Sequence, residues 1–241
     1  MCSRRCKGSL RNWGYERMLK AVLLDVGGPI LDEGAAISKS DHELWKLLKV
    51  RGIRVSIEQI EAARTKAVES YAPSYLRATI WYLVKPNLEL YEELVTNVGR
   101  VFDRECRKVR PEAISVLNTL ARKYRLALAA NQPLEIKGFL RASGLLKFFE
   151  LDLLPAEIGF YKPDPRFFLT ILEKLNLKPE EAVMVGDRLC NDVWPAKIVG
   201  IHTVRILVGP HKEQEPRAPN DIPDVTISEL SELAEAIEML R

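Results

Sequence analysis

The sequence has no long hydrophobic run. Nowhere among its 241 residues do about 18 apolar residues follow one another, the length that crosses a bilayer as a helix. We therefore predict no membrane span and no membrane partner. Internal repeats and low-complexity tracts are also missing, and the hydrophobic fraction of 47% is ordinary for a soluble globular protein.

There is little excess charge outside residues 1–17. Those residues hold five basic side chains and one acidic one, so the formal net charge of +3 becomes about −1 for the remainder. A balanced remainder gives no reason to expect nucleic acid as a partner. Residues 1–17 also lack the apolar segment of a secretory signal. We interpret residues 1–17 as a basic flexible extension or an upstream start; a transit peptide is the less favoured alternative.

Cysteine is scarce. Cys2 and Cys6 lie close together, but no second Cys or His pair completes a zinc site. We expect free thiols in a reducing compartment, and hence a cytoplasmic protein. Cys190 has no histidine near it in sequence, so we do not expect it to be a nucleophile. Cys106 carries no motif.

Short apolar runs alternate with helical patterns along most of the chain. We predict strands at 20–26, 125–130, 182–185 and 203–207, and helices at 111–123, 134–143, 165–175, 193–199 and from residue 228 onward. Such alternation is typical of a parallel sheet covered by helices on both faces. The predicted class is therefore α/β, with a Rossmann-like doubly wound core.

One helical block interrupts this series. Helices are predicted at 41–50, from Ser56, and at 88–102, with no strand signal between them. Gln59 stands three residues after Ser56, the spacing of a capping box. We expect an inserted helical cap at 37–105, with the core formed by 18–36 and 106–241.

Polar residues follow the predicted strands or stand in the loops after them. They are Asp25, Asn131, Lys162, Asp187 and Asp192. Each alone has an innocent explanation as a helix cap or a solvated side chain. Ligands of open α/β sheets bind outside the carboxyl ends of the strands, so we expect these five side chains to converge.

Three segments give the chain a resemblance to a known family. "AVLLDVGGPILDEG" (21–34), "GFYKPDPRFF" (159–168) and "VMVGDRLCNDVWPAKIVGI" (183–201) resemble the motifs of the haloacid dehalogenase (HAD) superfamily of aspartate-nucleophile hydrolases. The helical block resembles the α-helical cap of one subfamily. The resemblance implies a Mg²⁺-dependent phosphatase that acts on a small phosphorylated metabolite, as a monomer or homodimer.

The resemblance also implies roles for individual residues. Asp25 would be the nucleophile that forms an aspartyl-phosphate, and Mg²⁺ would be held by Asp25, the Gly27 carbonyl and Asp187. Lys162 would neutralise the phosphate and the nucleophile. Asp192 would either orient Lys162 or bind the metal through a water molecule. Gly28, Asn131 and Lys162 would bind the phosphate.

The first motif departs from the family pattern. Phosphatases of this family usually have a second Asp two residues after the nucleophile, where this chain has Gly27. That Asp protonates the leaving group and then activates water, a contribution of typically about 10²- to 10⁴-fold. Asp32, Glu33 or a cap residue could replace it. A substrate with a good leaving group, such as an acyl phosphate, would need it less.

Two further positions lack a hydroxyl. Ala130 stands where the family usually has Ser or Thr on the phosphate, and Pro29 replaces a usual Thr. A lost neutral hydrogen bond costs about 0.5–1.5 kcal/mol. These losses keep two alternatives open: a catalytically impaired binding or regulatory protein, and a 2-haloacid dehalogenase. The acidic pair, Asp187 and Asp192, argues against the dehalogenase.

Substrate choice is expected to lie in the cap. Its aromatic-rich helix is predicted to hold Tyr71, Tyr75, Arg77, Trp81 and Tyr82. Most of these aromatics are expected to pack in the cap core, and Arg77 is the candidate for anion contact. His42 and His211 are expected at the surface.

Overall fold

The computed structural model describes residues 18–105 and 108–240. The predictions for residues 1–17, for Cys2 and Cys6, and for Cys106 lie outside these residues. Within them, no helix combines the length and the apolar character needed to cross a membrane.

Five parallel strands form the central sheet. In sheet order they are β4 (Arg125–Leu128), β1 (Ala21–Leu24), β5 (Ala182–Gly186), β6 (His202–Ile206) and β7 (Val225–Ile227). β1 pairs with β4 on one side and β5 on the other, so that Val22 lies opposite both Leu126 and Val183. The carboxyl ends of these three strands therefore adjoin. The predicted α/β class is confirmed.

Alternate residues of β1 belong to the two faces of the sheet. Val22 and Leu24 pack in an apolar cluster with the helices α5 (Ala113–Leu120), α6 (Ile136–Ala142) and α10 (Leu233–Glu238). Ala21 and Leu23 face a second cluster, formed with α7 (Pro155–Ile158), α8 (Pro165–Leu175) and α9 (Trp194–Val199). Each fully buried large apolar side chain contributes about 1.5–3 kcal/mol. The β1 backbone is thus held from both sides.

Four helices follow β1 and pack around an apolar cluster of their own. They are α1 (Gly34–Val50), α2 (Ile57–Glu69), α3 (Tyr75–Val84) and α4 (Leu88–Glu105). Leu44, Ile60, Ile80 and Leu94 bring one buried side chain each from the four helices. We call residues 34–105 the four-helix unit. The boundaries of a cap domain stay a prediction.

A two-stranded antiparallel ribbon joins the four-helix unit to the sheet. β2 (Leu31–Asp32) and β3 (Lys108–Val109) pair where the chain leaves the core and where it returns. The sequence did not predict either strand, because two residues are too few to show alternation. It also did not predict a strand at β7, which has only three residues.

Several predicted boundaries differ from the structure. α1 begins at Gly34 rather than 41, and the last α-helix begins at Leu233, after a 3₁₀ turn at 230–232. Tyr71 is predicted on the aromatic helix but lies in the turn before α3, with φ of 56°. A positive φ in a non-glycine residue breaks helical geometry, and hydrophobic pattern alone does not reveal it.

Candidate active site

Two adjacent strands deliver carboxylates to the same edge of the sheet. Asp25 directly follows β1, and its backbone N–H donates to the Val185 carbonyl of β5 at 2.9 Å. Asp187 directly follows the end of β5 at Gly186. Because both strands run in the same direction and pair in register, the two carboxylates emerge side by side.

Asp25, Asp187 and Asp192 form one buried acidic cluster. One carboxylate oxygen from each lies within 4.8 Å of the others. Their exposed fractions are 8%, 5% and 0%. Three buried carboxylates repel one another unless cations compensate them, so this cluster requires positive charge.

Lys162 supplies part of that charge. Its ammonium group lies 2.5 Å from Asp192 Oδ1 and 3.3 Å from Asp25 Oδ1, and the residue is almost fully buried. The Asn131 side chain fixes the backbone beside it. Asn131 Nδ2 donates to the Lys162 carbonyl at 2.7 Å, and the Lys162 N–H donates to Asn131 Oδ1 at 2.9 Å. Residues after β4 and before α8 are thereby tied together.

Asp192 lies in a π-helical turn, Leu189–Val193, between β5 and α9. Its second carboxylate oxygen accepts a hydrogen bond from the Arg188 N–H at 2.9 Å. A side chain at Gly186 would leave no room, since a Cβ built there would lie 2.3 Å from the Asp192 carboxylate. Turns of this π type are frequent at functional sites.

The charges of the cluster shift one another's titration. Burial raises the pKa of Asp25 to about 6, against the lowering effect of Lys162. Burial, followed by the charges of Asp192 and Asp25, also raises the pKa of Asp187 well above its usual range. Burial alone would lower the pKa of Lys162, but the charges of Asp192 and Asp25 outweigh it and raise that pKa. Lys162 is therefore an ammonium ion.

The cluster fits a hard divalent cation. Lys162 compensates Asp192 and Asp25, whereas Asp187 makes no ion pair within residues 18–105 and 108–240. A purely oxygen donor set suits Mg²⁺ or Ca²⁺ rather than zinc or copper. Burial and the neighbouring carboxylates, which the charge of Arg188 offsets only in part, account for the elevated pKa of Asp187. The residues present therefore suit the predicted metal.

The turn after Asp25 is tight. Gly28 has φ of 84°, and a Cβ at that position would lie 2.9 Å from the Asp187 carboxyl carbon. The sequence predicts that the Gly28 N–H approaches an oxyanion, but in the structure it donates to the Leu31 carbonyl at 3.1 Å. The Gly28 carbonyl accepts from Arg110 Nε at 2.7 Å. Phosphate binding by Gly28 stays a prediction that this turn does not favour.

A cavity of about 320 Å³ opens above the cluster. Asp25, Lys162 and Asp187 form its floor. The segment 73–76, at the start of α3, also lines the cavity, together with His211. Arg188 lines the cavity and donates to the Pro73 carbonyl at 3.2 Å, so a core loop and the four-helix unit touch there.

Some expected surface and cap residues lie elsewhere. His211 is predicted at the surface but is buried against Tyr75, with ring centroids 5.7 Å apart. Burial, then the charge of Arg188, lowers the pKa of His211 to about 3. The prediction is wrong because the segment 209–223, which holds four prolines, places His211 in the interior, and local sequence does not show this. His42 is exposed as expected; Arg77 is exposed and is not part of the cavity wall.

Other cavity residues have no role assigned from the sequence. Tyr75 is expected in the cap core, yet its buried hydroxyl lines the cavity without a hydrogen-bond partner among the described residues. Arg188 stands next to Asp187 inside the acidic motif, and this position is the sequence feature that could have identified it. Glu33, named only as one of several substitutes for the missing acid, also lines the cavity. Burial and the charge of Asp25 raise the pKa of Glu33 to about 7.

An α/β sheet that gathers an aspartate, an acid pair and a lysine at its strand ends is the architecture of an aspartate-based hydrolase. Residues 19–200 match the model of the haloacid dehalogenase-like hydrolases, and the chain belongs to this family.

Known relatives and structures are similar over most of their length. The glyceraldehyde 3-phosphate phosphatase of Methanopyrus kandleri is 29% identical over 231 residues, which cover 92% of this chain and 99% of the relative. A HAD phosphatase structure from Thermococcus onnurineus is 29% identical, with a TM-score of 0.58, and covers 90% of this chain and 97% of its own. A HAD hydrolase from Bacillus subtilis, solved with magnesium, shares the fold at 20% identity, with a TM-score of 0.67 and coverage of 91% and 99%.

Proposed function

We propose that this protein is a Mg²⁺-dependent phosphatase that hydrolyses a small phosphorylated metabolite through an aspartyl-phosphate at Asp25. The observation that supports it most is the juxtaposition of Asp25 with a lysine ammonium at 3.3 Å and with two further carboxylates within 4.8 Å. A nucleophilic carboxylate, a cation and a metal-binding acid pair are what phosphoryl transfer requires. The names of the Methanopyrus and Thermococcus relatives point to the same reaction.

Asp25 would act as the nucleophile. One of its carboxylate oxygens attacks phosphorus in line, while the bond from phosphorus to the leaving oxygen breaks and that oxygen takes a proton. Water then attacks the phosphorus of the aspartyl-phosphate, which releases phosphate and restores Asp25. The Val26 N–H donates to Asp25 Oδ1 at 2.8 Å and the Lys162 ammonium lies 3.3 Å from the same oxygen, so the carboxylate is already positioned and little entropy is lost on reaching the reactive geometry.

Mg²⁺, held by Asp25, the Gly27 carbonyl and Asp187, would stabilise the negative charge that develops on the phosphoryl oxygens. The Bacillus subtilis hydrolase, whose structure contains magnesium, agrees with this choice of metal.

Lys162 would contact the bound phosphate, and Asp192 would hold it in place. Both Asp192 oxygens are already occupied, one by Lys162 and one by the Arg188 N–H. This favours orientation of Lys162 over metal ligation through water. Asn131 is likewise engaged with the Lys162 backbone, so its role in phosphate binding is proposed to be chiefly one of positioning.

The four-helix unit would act as a cap that excludes water from the cavity. Segment 73–76 and His211 would surround the part of the substrate beyond its phosphate. A cavity of about 320 Å³ suits a small metabolite rather than a polymer. Cytoplasmic location, and a monomer or homodimer without nucleic-acid or membrane partners, stay predictions.

Two other functions compete with this proposal. A dehalogenase would displace halide from carbon without a metal, and the buried acid pair of Asp187 and Asp192 beside Asp25 argues against it. A non-catalytic binding protein is favoured by the missing side chain at Gly27 and the missing hydroxyl at Ala130. The intact Asp25–Lys162–Asp192 arrangement favours the enzyme, because a binding role alone does not need a nucleophile paired with an ammonium group.

The proposal is tested with p-nitrophenyl phosphate and acetyl phosphate, each with and without Mg²⁺. We expect turnover that requires the metal, that is lost in Asp25→Asn, and that persists in Asp152→Asn, whose carboxylate pairs with Lys137 outside the cavity. Turnover of 2-chloropropionate without metal would establish the dehalogenase instead. No turnover on any substrate, with Mg²⁺ still bound, would favour the binding protein.

A further inference from the structure

The space that a side chain at position 27 would fill is already occupied. A Cβ built on Gly27 would lie 2.5 Å from Glu33 Oε1 and 3.4 Å from Gln132 Nε2. The carboxylate of Glu33 therefore lies where family phosphatases carry the second aspartate of their first motif. The absence of a side chain at Gly27 leaves room for the carboxylate of Glu33, six residues further along the chain.

The backbone turn explains how Glu33 reaches this position. The N–H groups of Ile30 and Leu31 both donate to the Val26 carbonyl, at 3.1 and 2.9 Å, which folds the chain back on itself. β2 then leads directly into α1. Glu33 is the N-cap residue of α1, yet its side chain makes no capping hydrogen bond. The usual structural reason for an acid at a helix start is thus missing.

We infer that Glu33 is the proton donor and acceptor of the reaction proposed above, in place of an acid at position 27. This role of Glu33 rests on the proposed function. Its carboxyl group gives its proton to the leaving oxygen as the phosphorus–oxygen bond breaks. The carboxylate then takes a proton from the water that attacks the aspartyl-phosphate, which restores the starting state. Glu33 and Asp25 line the same cavity, as these two transfers require.

The neighbouring acid does not suit this role. Asp32 Oδ1 accepts from the Gly34 N–H at 3.0 Å, and its Oδ2 pairs with Lys108 at 3.3 Å. Asp32 therefore stabilises the start of α1 and the β2–β3 ribbon, and it does not line the cavity. Of the two adjacent carboxylates, only Glu33 faces the reacting groups. Asp32→Asn is consequently a matched control for Glu33→Gln.

Leaving-group dependence separates proton donation from a structural effect. An alkyl phosphate such as glycerol phosphate needs a proton on its leaving oxygen, whereas p-nitrophenolate leaves without one. We expect Glu33→Gln to lower kcat/KM for the alkyl phosphate by about 10²- to 10⁴-fold, and for p-nitrophenyl phosphate by a much smaller factor. Asp32→Asn should change both by a similar, small factor. The loss of the proton acceptor should also produce a burst of p-nitrophenolate in Glu33→Gln, as the aspartyl-phosphate accumulates.

The family arrangement can be rebuilt as a rescue. Gly27 does not adopt a left-handed φ, so it accepts a side chain once the tip of Glu33 is removed. Gly27→Asp/Glu33→Ala should therefore recover alkyl-phosphate turnover at least tenfold over Glu33→Ala alone. A misfolded single variant would not be rescued, and thermal melting of each variant checks its folding.

The outcomes divide as follows. Equal losses on both substrates, or full alkyl-phosphate activity in Glu33→Gln, would overturn the role of Glu33 while leaving the phosphatase intact. A tenfold or greater loss of Mg²⁺ affinity in calorimetry of Glu33→Gln would make Glu33 a metal ligand and also overturn it. A wild-type chain that hydrolyses neither phosphate would overturn the proposed function, and the role of Glu33 with it.

Discussion

At the scale of single residues, the buried cation of the site is its most constrained member. Lys162 is enclosed with Asp192 and Asp25, and every charge in the group depends on the others. Removal of one partner from a buried ion pair leaves an uncompensated charge and costs about 3–5 kcal/mol. The folded state is therefore sensitive to the loss of any one of these three charges.

Lys162→Met should therefore lower the free energy of unfolding by about 3–5 kcal/mol. The additional change Asp192→Asn should recover part of this loss, because it removes the charge left unpaired. Lys20→Met breaks an exposed pair with Glu181 and should cost at most about 1 kcal/mol. Urea unfolding at neutral pH measures all three; a Lys162→Met variant as stable as Lys20→Met would contradict the prediction.

Gly28 has a left-handed backbone conformation and also lies close to the Asp187 carboxylate. Gly28→Ala would place a Cβ 2.9 Å from the Asp187 carboxyl carbon, in addition to the cost of φ at 84°. Gly144 has φ of 70° but open space around it. Gly144→Ala should cost about 1–2 kcal/mol from the left-handed backbone alone, and Gly28→Ala should cost more. Equal losses in denaturant titrations would show that the contact with Asp187 is unimportant.

Much of the site could be predicted from sequence because its residues follow strands. Asp25, Lys162, Asp187 and Asp192 are expected together, and the structure brings them together. The position of the Glu33 side chain could not be predicted, since it depends on the turn between β1 and α1. The prediction for His211 is wrong for a related reason: loop folding is set by tertiary contacts that leave no local pattern.

At the scale of elements, the starts of α2 and α8 follow sequence rules. Ser56 accepts from the Gln59 N–H and Gln59 accepts from the Ser56 N–H, so the predicted capping box is present at the start of α2. Asp164 caps α8 by accepting a hydrogen bond from the Arg166 N–H at 2.9 Å, and Pro165 is the first residue of that helix. The N-cap residue stands two positions after Lys162, so the helix start and the site lysine belong to one short segment.

Ser56→Ala should destabilise the four-helix unit by about 0.5–2 kcal/mol, the usual cost of a lost N-cap. Ser38→Ala changes an exposed serine inside α1 and should be neutral or slightly stabilising, since alanine is the better helix former. Thermal unfolding followed by circular dichroism compares the two. A neutral Ser56→Ala variant would mean that the capping box adds nothing to stability.

The strands that the sequence does not predict are the three shortest. β2 and β3 have two residues each and β7 has three, too few for periodicity. They exist because their partners hold them: β2 and β3 pair with each other, and β7 completes the sheet beside β6. The fully buried strands β1 and β5 are predicted because apolar runs followed by glycine turns are local features.

At the scale of the whole molecule, core and four-helix unit meet around one charged cavity. Gln214 Nε2 donates to the Val68 carbonyl at 2.6 Å, which adds to the contacts of Arg188 with Pro73 and of His211 with Tyr75. Metal binding at the strand ends should therefore stabilise the folded chain as a whole. The gain from a ligand present at 100 times its Kd is about 2.7 kcal/mol.

Saturating Mg²⁺ should raise the Tm of the wild-type protein by several degrees, since about 1 kcal/mol shifts the Tm of a chain of this size by roughly 2–4 °C. The shift should vanish in Asp187→Asn and persist in Asp152→Asn. Differential scanning fluorimetry with and without EDTA provides the measurement. An equal shift in both variants would place the bound Mg²⁺ away from the acidic cluster.

The most direct test of the central claim is to trap the covalent intermediate. The wild-type protein is mixed with acetyl phosphate and Mg²⁺, quenched in acid within milliseconds, and digested for peptide mass spectrometry. We predict a hydroxylamine-labile phosphate on the peptide that contains Asp25, absent when Mg²⁺ is withheld. Steady turnover without phosphate on Asp25, or with phosphate on another residue, would contradict this account.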